Sequence, residues 1–159
     1  MTQITLITLG SLKEDYLRDA VSEYKKRLSQ YARVDEVNIK EEPIKNEDSA
    51  AEISRALERE AERVLSAIPK DSYKIALCVE GKQLDSPALA KIISDANDAT
   101  GKITVIIGSS FGLSERVKAA CDLRLSFSKM TFPHQLMRVI LTEALYRSFT
   151  IIAGKRYHK

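Results

Sequence analysis

Residues 126–147 gather the side chains best equipped for chemistry: Ser-Phe-Ser-Lys-Met-Thr-Phe-Pro-His-Gln-Leu-Met-Arg-Val-Ile-Leu-Thr-Glu-Ala-Leu-Tyr-Arg. Ser126 to Phe132 reads as a loop in which small hydroxyl residues alternate with bulky apolar ones. Such a loop offers a ligand both backbone groups and greasy walls. Pro133 suits the first turn of a helix, where a missing N–H costs nothing. From Gln135 onward, Leu136, Met137, Val139, Ile140, Leu141, Ala144 and Leu145 form an apolar surface wider than one stripe. That helix is expected to be buried on more than one side, in a core or against a second chain. It also carries His134, Arg138, Glu143 and Arg147. A histidine titrates near neutral pH, and arginine forks hold anions. Each has a plainer reading: His134 as a polar helix start, the arginines as ion-pair partners of Glu143. Crowded into one basic segment, they favour a site.

Two glycine-bearing stretches point the same way. Val79-Glu80-Gly81 and Gly108-Ser109-Ser110-Phe111-Gly112 each follow an expected strand, and open α/β sheets bind ligands beyond the carboxyl ends of their strands. Glycine lets the backbone approach a ligand closely. The first strand is followed only by Gly10-Ser11-Leu12-Lys13, which is no dinucleotide fingerprint, and no P-loop occurs anywhere. Gly108 to Gly112 also satisfies Gly-x-Ser-x-Gly, with Asp122 and His134 following, which would make Ser110 an esterase nucleophile. The chain supplies too few strands for a hydrolase core, and Ser114 reads as the helix N-cap, too late for an elbow.

The elements that must position these residues alternate strictly. Strands are expected at Gln3–Leu9, Val34–Ile39, Tyr73–Val79, Ile103–Ile107 and Leu123–Phe127, with a turn at Glu80-Gly81-Lys82. Amphipathic helices are expected at Leu12–Tyr31, from a capping box at Ser49 to about Ile68, from a Ser86-Pro87 cap to about Ala99, and at Leu113–Ala120, before the long final helix. Five β–α repeats give an α/β fold with a mostly parallel sheet. The 159 residues read as one domain, 1–159, with no linker or repeat.

Composition narrows the classes. With 44% hydrophobic and 30% charged residues the chain reads as globular, without a membrane span or a signal peptide. Cys78 and Cys121 form neither a disulfide framework nor a metal knuckle, and read as reduced thiols of a cytoplasmic protein. No metal is expected. The net charge of +3 conceals an asymmetry: residues 102–159 carry +7 and residues 1–101 carry −4. A basic half suits a polyanionic partner. The tail, Ala153 to Lys159, is too short to fold alone, yet holds Tyr157 and His158.

The segments Ile106 to Gly112, Phe127 to Arg138, Glu143-Ala144-Leu145-Tyr146-Arg147 and Tyr157-His158 resemble the ribosomal RNA large subunit methyltransferase H family. These are small SPOUT-class enzymes that methylate N3 of a pseudouridine in 23S rRNA. The resemblance runs from Leu6 to the tail, departing at Ser109, where the family usually has glycine. It implies a C-terminal trefoil knot, a homodimer, and S-adenosylmethionine as cofactor. By similarity, Leu77, Gly108 and the stretch Phe127, Ser128, Lys129, Met130, Thr131 and Phe132 would bind that cofactor. Arg147, with Tyr157 and His158 of the tail, would position the base and stabilise its anion, with His134 orienting the loop. The substrate implied is 23S rRNA in the assembled ribosome. The rival class is a non-catalytic RNA-binding module of the same fold.

Overall fold

The β-branched runs of the sequence become the middle of a sheet. The computed structural model describes residues 1–159, with β1 (Thr2–Leu9), α1 (Asp15–Leu28), β2 (Ala32–Ile39), α2 (Ala50–Ala67), β3 (Tyr73–Gln83), α3 (Ser86–Thr100), β4 (Lys102–Ile107), α4 (Glu115–Ala119), β5 (Leu123–Ser126) and α5 (His134–Ile152). All strand pairs are parallel, in the order β2-β1-β4-β3-β5. β4, an unbroken run of apolar and β-branched residues from Ile103 to Ile107, lies at the centre.

Alternation along the strands splits the core into two layers. Ile4, Leu6, Ile75, Ile103 and Val105 face α1, α3 and α5, where Leu28, Ile93, Leu141, Leu145 and Phe149 complete one cluster. Ile7, Leu9, Ala76 and Ile106 face α2 and α4, where Ala61, Val64 and Val117 complete the other. Leu141 and Leu145 are 1% exposed, and burying each stabilises the fold by about 1.5–3 kcal/mol. The hydroxyls of Thr142, Ser148 and Thr150, all buried, turn back onto the carbonyls of Arg138, Ala144 and Arg147. Those back-bonds let polar residues sit inside the greasy helix.

Several boundaries differ from the sequence reading. β3 does not stop at Val79: its register against β5 shifts between Leu77 and Lys82, and Leu125 partners both. Glu80-Gly81 is thus a bulge within the strand. A Cβ on Gly81 would lie 2.7 Å from the backbone carbon of Leu125, so only glycine lets this bulge fold over β5. Ser49 caps α2 by accepting from Glu52 N–H at 3.2 Å. The Glu52 carboxylate does not return the bond; it accepts from Lys45 and Asn46 N–H, tying down the loop before the helix. The cap of α3 is Asp85, accepting from Ala88 N–H at 2.8 Å, one residue before the expected serine. Pro133 is the N-cap of α5 rather than part of its first turn, and its carbonyl receives Met137 N–H. α1 begins three residues later than expected, at Asp15, with no side-chain cap.

Candidate functional site

The chain leaving β3 goes to one face of the sheet and the chain leaving β4 to the other. Such a reversal opens a crevice at the carboxyl ends of the strands. A cavity of about 660 Å³ fills it, walled by the ends of β3, β4 and β5 and the start of α5. The three strand-end stretches singled out in the sequence therefore converge. Leu77, Gly108, Phe127, Ser128, Met130, Thr131, Phe132 and His134 all line this space, whereas Lys129 does not. Glu80, Lys118 and Cys78, which were not assigned there as site residues, line it too. Only their place on the bulge and on α4 brings them in.

The two loops are built differently. After β4 the backbone doubles back: Gly112 N–H donates to Ser109 carbonyl at 2.9 Å, making an antiparallel bridge, and Gly112 takes a φ of 84°. Gly108 packs against the Gly112 carbonyl, where a Cβ has no room. Ser109 keeps an ordinary negative φ, so a serine fits where the family usually has glycine, and its Oγ accepts from Phe111 N–H at 3.3 Å. The loop after β5 spends little of its backbone on itself. Met130 N–H donates to Ser128 Oγ, but the amides of Phe127, Ser128, Lys129, Thr131 and Phe132 have no partner within the chain. Phe127, Ser128 and Phe132 are half-buried, and backbone groups withdrawn from water require partners. A planar heterocycle with donors and acceptors on its edge, lying between Leu77, Ile107, Phe127 and Phe132, would supply them.

His134 stands at the mouth with Nε2 3.7 Å from Glu41 Oε1. Burial lowers its pKa against the opposing pull of Glu41, so the ring is neutral at physiological pH. Arg138 is not an ion-pair partner of Glu143. Buried at 7% exposure, it donates to the Leu9 carbonyl at 2.9 Å and the Gly10 carbonyl at 2.5 Å, and burial pulls its pKa down. It pins α5 to the end of β1. Arg138→Met is expected to take this donor from the Leu9 carbonyl, while the Gly10 carbonyl keeps the Asn38 side-chain amide, and to cost roughly 1.5–3 kcal/mol. Urea unfolding would check this, and a loss below about 0.5 kcal/mol would contradict the assigned role.

Arg147 does pair with Glu143, at 2.5 Å, and belongs to a second cluster. The same carboxylate oxygen accepts the Tyr157 hydroxyl at 3.0 Å. The Arg147 guanidinium lies 4.8 Å from the centre of the Tyr157 ring, and its Nη1 is 3.3 Å from His158 Nδ1. Tyr157 also meets Tyr146 edge-on at 4.7 Å. The tail thus docks on its own helix instead of fraying. Burial, with the Glu143 bond, pushes the Tyr157 hydroxyl up to about 12, so it is a proton donor and not a base at neutral pH. His134 and Arg147 are thirteen residues apart on one helix, roughly 20 Å. Within one chain the cavity and the tail cluster are therefore separate.

The esterase arrangement is not assembled. Asp122 accepts Lys74 N–H at 2.7 Å and pairs with its ammonium, His134 faces Glu41, and Ser110 has no positive φ such as a strained elbow would show. No group of three or more His, Cys, Asp or Glu side chains is placed to hold a metal ion, and no helix is long and apolar enough to cross a membrane. Cys78 and Cys121 are free thiols, and burial raises both, Cys121 to about 11.

Comparison with known proteins agrees with this geometry. A relative from Shouchella clausii, named ribosomal RNA large subunit methyltransferase H, is 47% identical over 157 residues, 98% of this chain and 99% of its own. A Methanococcus maripaludis relative, given the same name provisionally, is 51% identical over 158 residues with the same coverage. Among solved structures, a provisionally named methyltransferase from Legionella pneumophila, in complex with S-adenosylmethionine, superposes with a TM-score of 0.52 at 13% identity. That match covers 91% of this chain and 65% of the other, and speaks for the fold alone. The model of the SPOUT methyltransferase family matches residues 2–158, and the chain belongs to that family.

Proposed function

We propose that this protein is an S-adenosylmethionine-dependent methyltransferase acting on N3 of a pseudouridine in 23S rRNA of the assembled ribosome. The observation that carries the reading is the cavity at the carboxyl ends of β3, β4 and β5, apolar inside and edged by unpaired amides from 127–132. Those features fit the cofactor: Leu77, Phe127 and Phe132 would hold the adenine ring, and the free amides would read its edge. The relatives' name points to large-subunit ribosomal RNA as the substrate class, and the resemblance to N3 of a pseudouridine within it. When bound, the cofactor provides a methyl group already activated by a sulfonium, so the protein's task is alignment.

N3 of pseudouridine is an imide nitrogen and must lose a proton before it attacks. Arg147 and the Tyr157 hydroxyl are donors suited to the oxygens of the resulting anion, and His158 extends the same cluster. Glu143 keeps Arg147 fully cationic. His134 orients the loop at the cavity mouth. Because the cavity and the cluster lie at opposite ends of α5, each cluster would serve the cavity of a second copy in an antiparallel homodimer. Exposed Leu136 and Ile152, with half-buried Val139 and Ile140, give α5 an apolar face for that pairing. We infer a single catalytic domain with a knotted C-terminal half, working in the cytoplasm where ribosomes are. The basic half would grip rRNA phosphates.

The test is transfer of labelled methyl from the cofactor to ribosomes lacking the modification. A single methyl on pseudouridine N3 of 23S rRNA, located by mass spectrometry, is expected. Ribosome binding with neither methyl transfer nor calorimetric heat from the cofactor would instead leave an RNA-binding module.

A further inference from the structure

The cavity wall contains a charge pair that adenine does not require. Lys118 on α4 turns its ammonium inward, its side chain only 15% exposed, and bonds Glu80 Oε1 on the β3 bulge, whose side chain is 55% exposed. Both residues line the cavity. The pair holds the Glu80 carboxyl below its usual range. Of the other ionisable side chains there, burial keeps Cys78 protonated and His134 neutral at physiological pH. Lys118 and Glu80 are therefore the cavity's one positive and one negative side chain. A salt bridge serving only to join a helix to a strand gains little where it faces water. Here the Lys118 side chain is mostly buried in the wall of a cavity large enough for a ligand.

We propose that Lys118 and Glu80 form the receptor for the amino-acid end of the cofactor, with Lys118 taking the α-carboxylate and Glu80 the α-ammonium. The assignment rests on the cofactor reading above. A zwitterion entering beside an existing ion pair makes a square of alternating charges, in which every ion keeps an opposite neighbour. Charge-assisted bonds of this kind are the strong ones. The division of the cavity fits as well: its apolar wall suits the adenosine half, and its single charge pair suits the half that bears both charges.

Calorimetric titration of the full chain with three probes separates the possibilities: S-adenosylmethionine, its decarboxylated form, and methylthioadenosine, which lacks the amino-acid end. Lys118→Met is expected to weaken S-adenosylmethionine about tenfold while changing the other two by less than about twofold. Lys118→Arg should keep the wild-type preference, and Glu80→Gln should narrow the preference over methylthioadenosine severalfold. Equal weakening of all three probes would reduce the pair to a structural clamp, and no weakening would remove it from the site; either result overturns the proposal. If Lys118→Met fails to fold, the Glu80→Gln ratio decides, since that residue is half in solvent. Wild-type protein that binds none of the probes would overturn the cofactor reading itself, and this assignment with it.

Discussion

Replacing Arg147 by alanine is expected to slow methyl transfer by at least about a hundredfold while leaving cofactor affinity within about twofold. The separation follows from position. Arg147 lies roughly 20 Å along α5 from His134, beyond reach of its own chain's cavity, and its partners are Glu143, Tyr157 and His158. Its loss removes a donor aimed at developing charge and frees the tail, but touches nothing that would hold adenine. Arg147→Lys keeps the charge without the planar fork, so activity between the two extremes is expected. Single-turnover transfer and calorimetry on the same preparation give both readings. Equal loss of binding and turnover would mean that Arg147 supports the cofactor cavity, and the proposed division of labour would be wrong.

Gly108→Ala should do the reverse, removing cofactor binding first. The added Cβ would stand 2.5 Å from the Gly112 carbonyl carbon and 3.0 Å from Leu113 Cγ. A backbone carbonyl cannot swing aside as a side chain does, so the doubled-back loop has to open. Overpacking of this kind costs about 1–3 kcal/mol, and the displaced loop forms a cavity wall, so affinity is expected to fall at least about thirtyfold. Gly112→Ala is the control. Its φ of 84° imposes strain, yet its Cβ would meet nothing within 4 Å, so stability should fall by roughly 1–2 kcal/mol with a smaller loss of affinity. Similar affinities for Gly108→Ala and wild type would show that this loop does not shape the binding wall.

Much of this architecture is legible in the amino-acid sequence. The apolar, β-branched run Ile103 to Ile107 has the signature of a central strand, and Ser49 and Ser114 stand where a hydroxyl can accept from the amide three residues on, as both do. The convergence of three strand ends followed from the fold class. What stayed hidden depends on partners far away in the chain. Glu80-Gly81-Lys82 has the composition of a turn, and only the fit of Gly81 against β5 makes it a bulge. Arg138 looks like an ion-pair residue because arginine usually is one; its carbonyl partners lie 128 and 129 positions away. Lys118 carries no signal of its own in the sequence; only Glu80, opposite it in the fold, draws it into the cavity wall. The resemblance, not the pattern of residues, named the tail as functional, and its docking on Glu143 has no local signature.

One feature of the packing governs how the chain reaches its structure. The face of the sheet opposite α2 is closed by α5, through Leu141, Leu145 and Phe149, and Arg138 fastens that helix to the first strand. This layer of the core therefore cannot close until α5, made long after β1, is free to dock. Contacts of such sequence separation also fold slowly. Until then the naked apolar flank of β1, β4 and β3 is a surface for chaperones to shield.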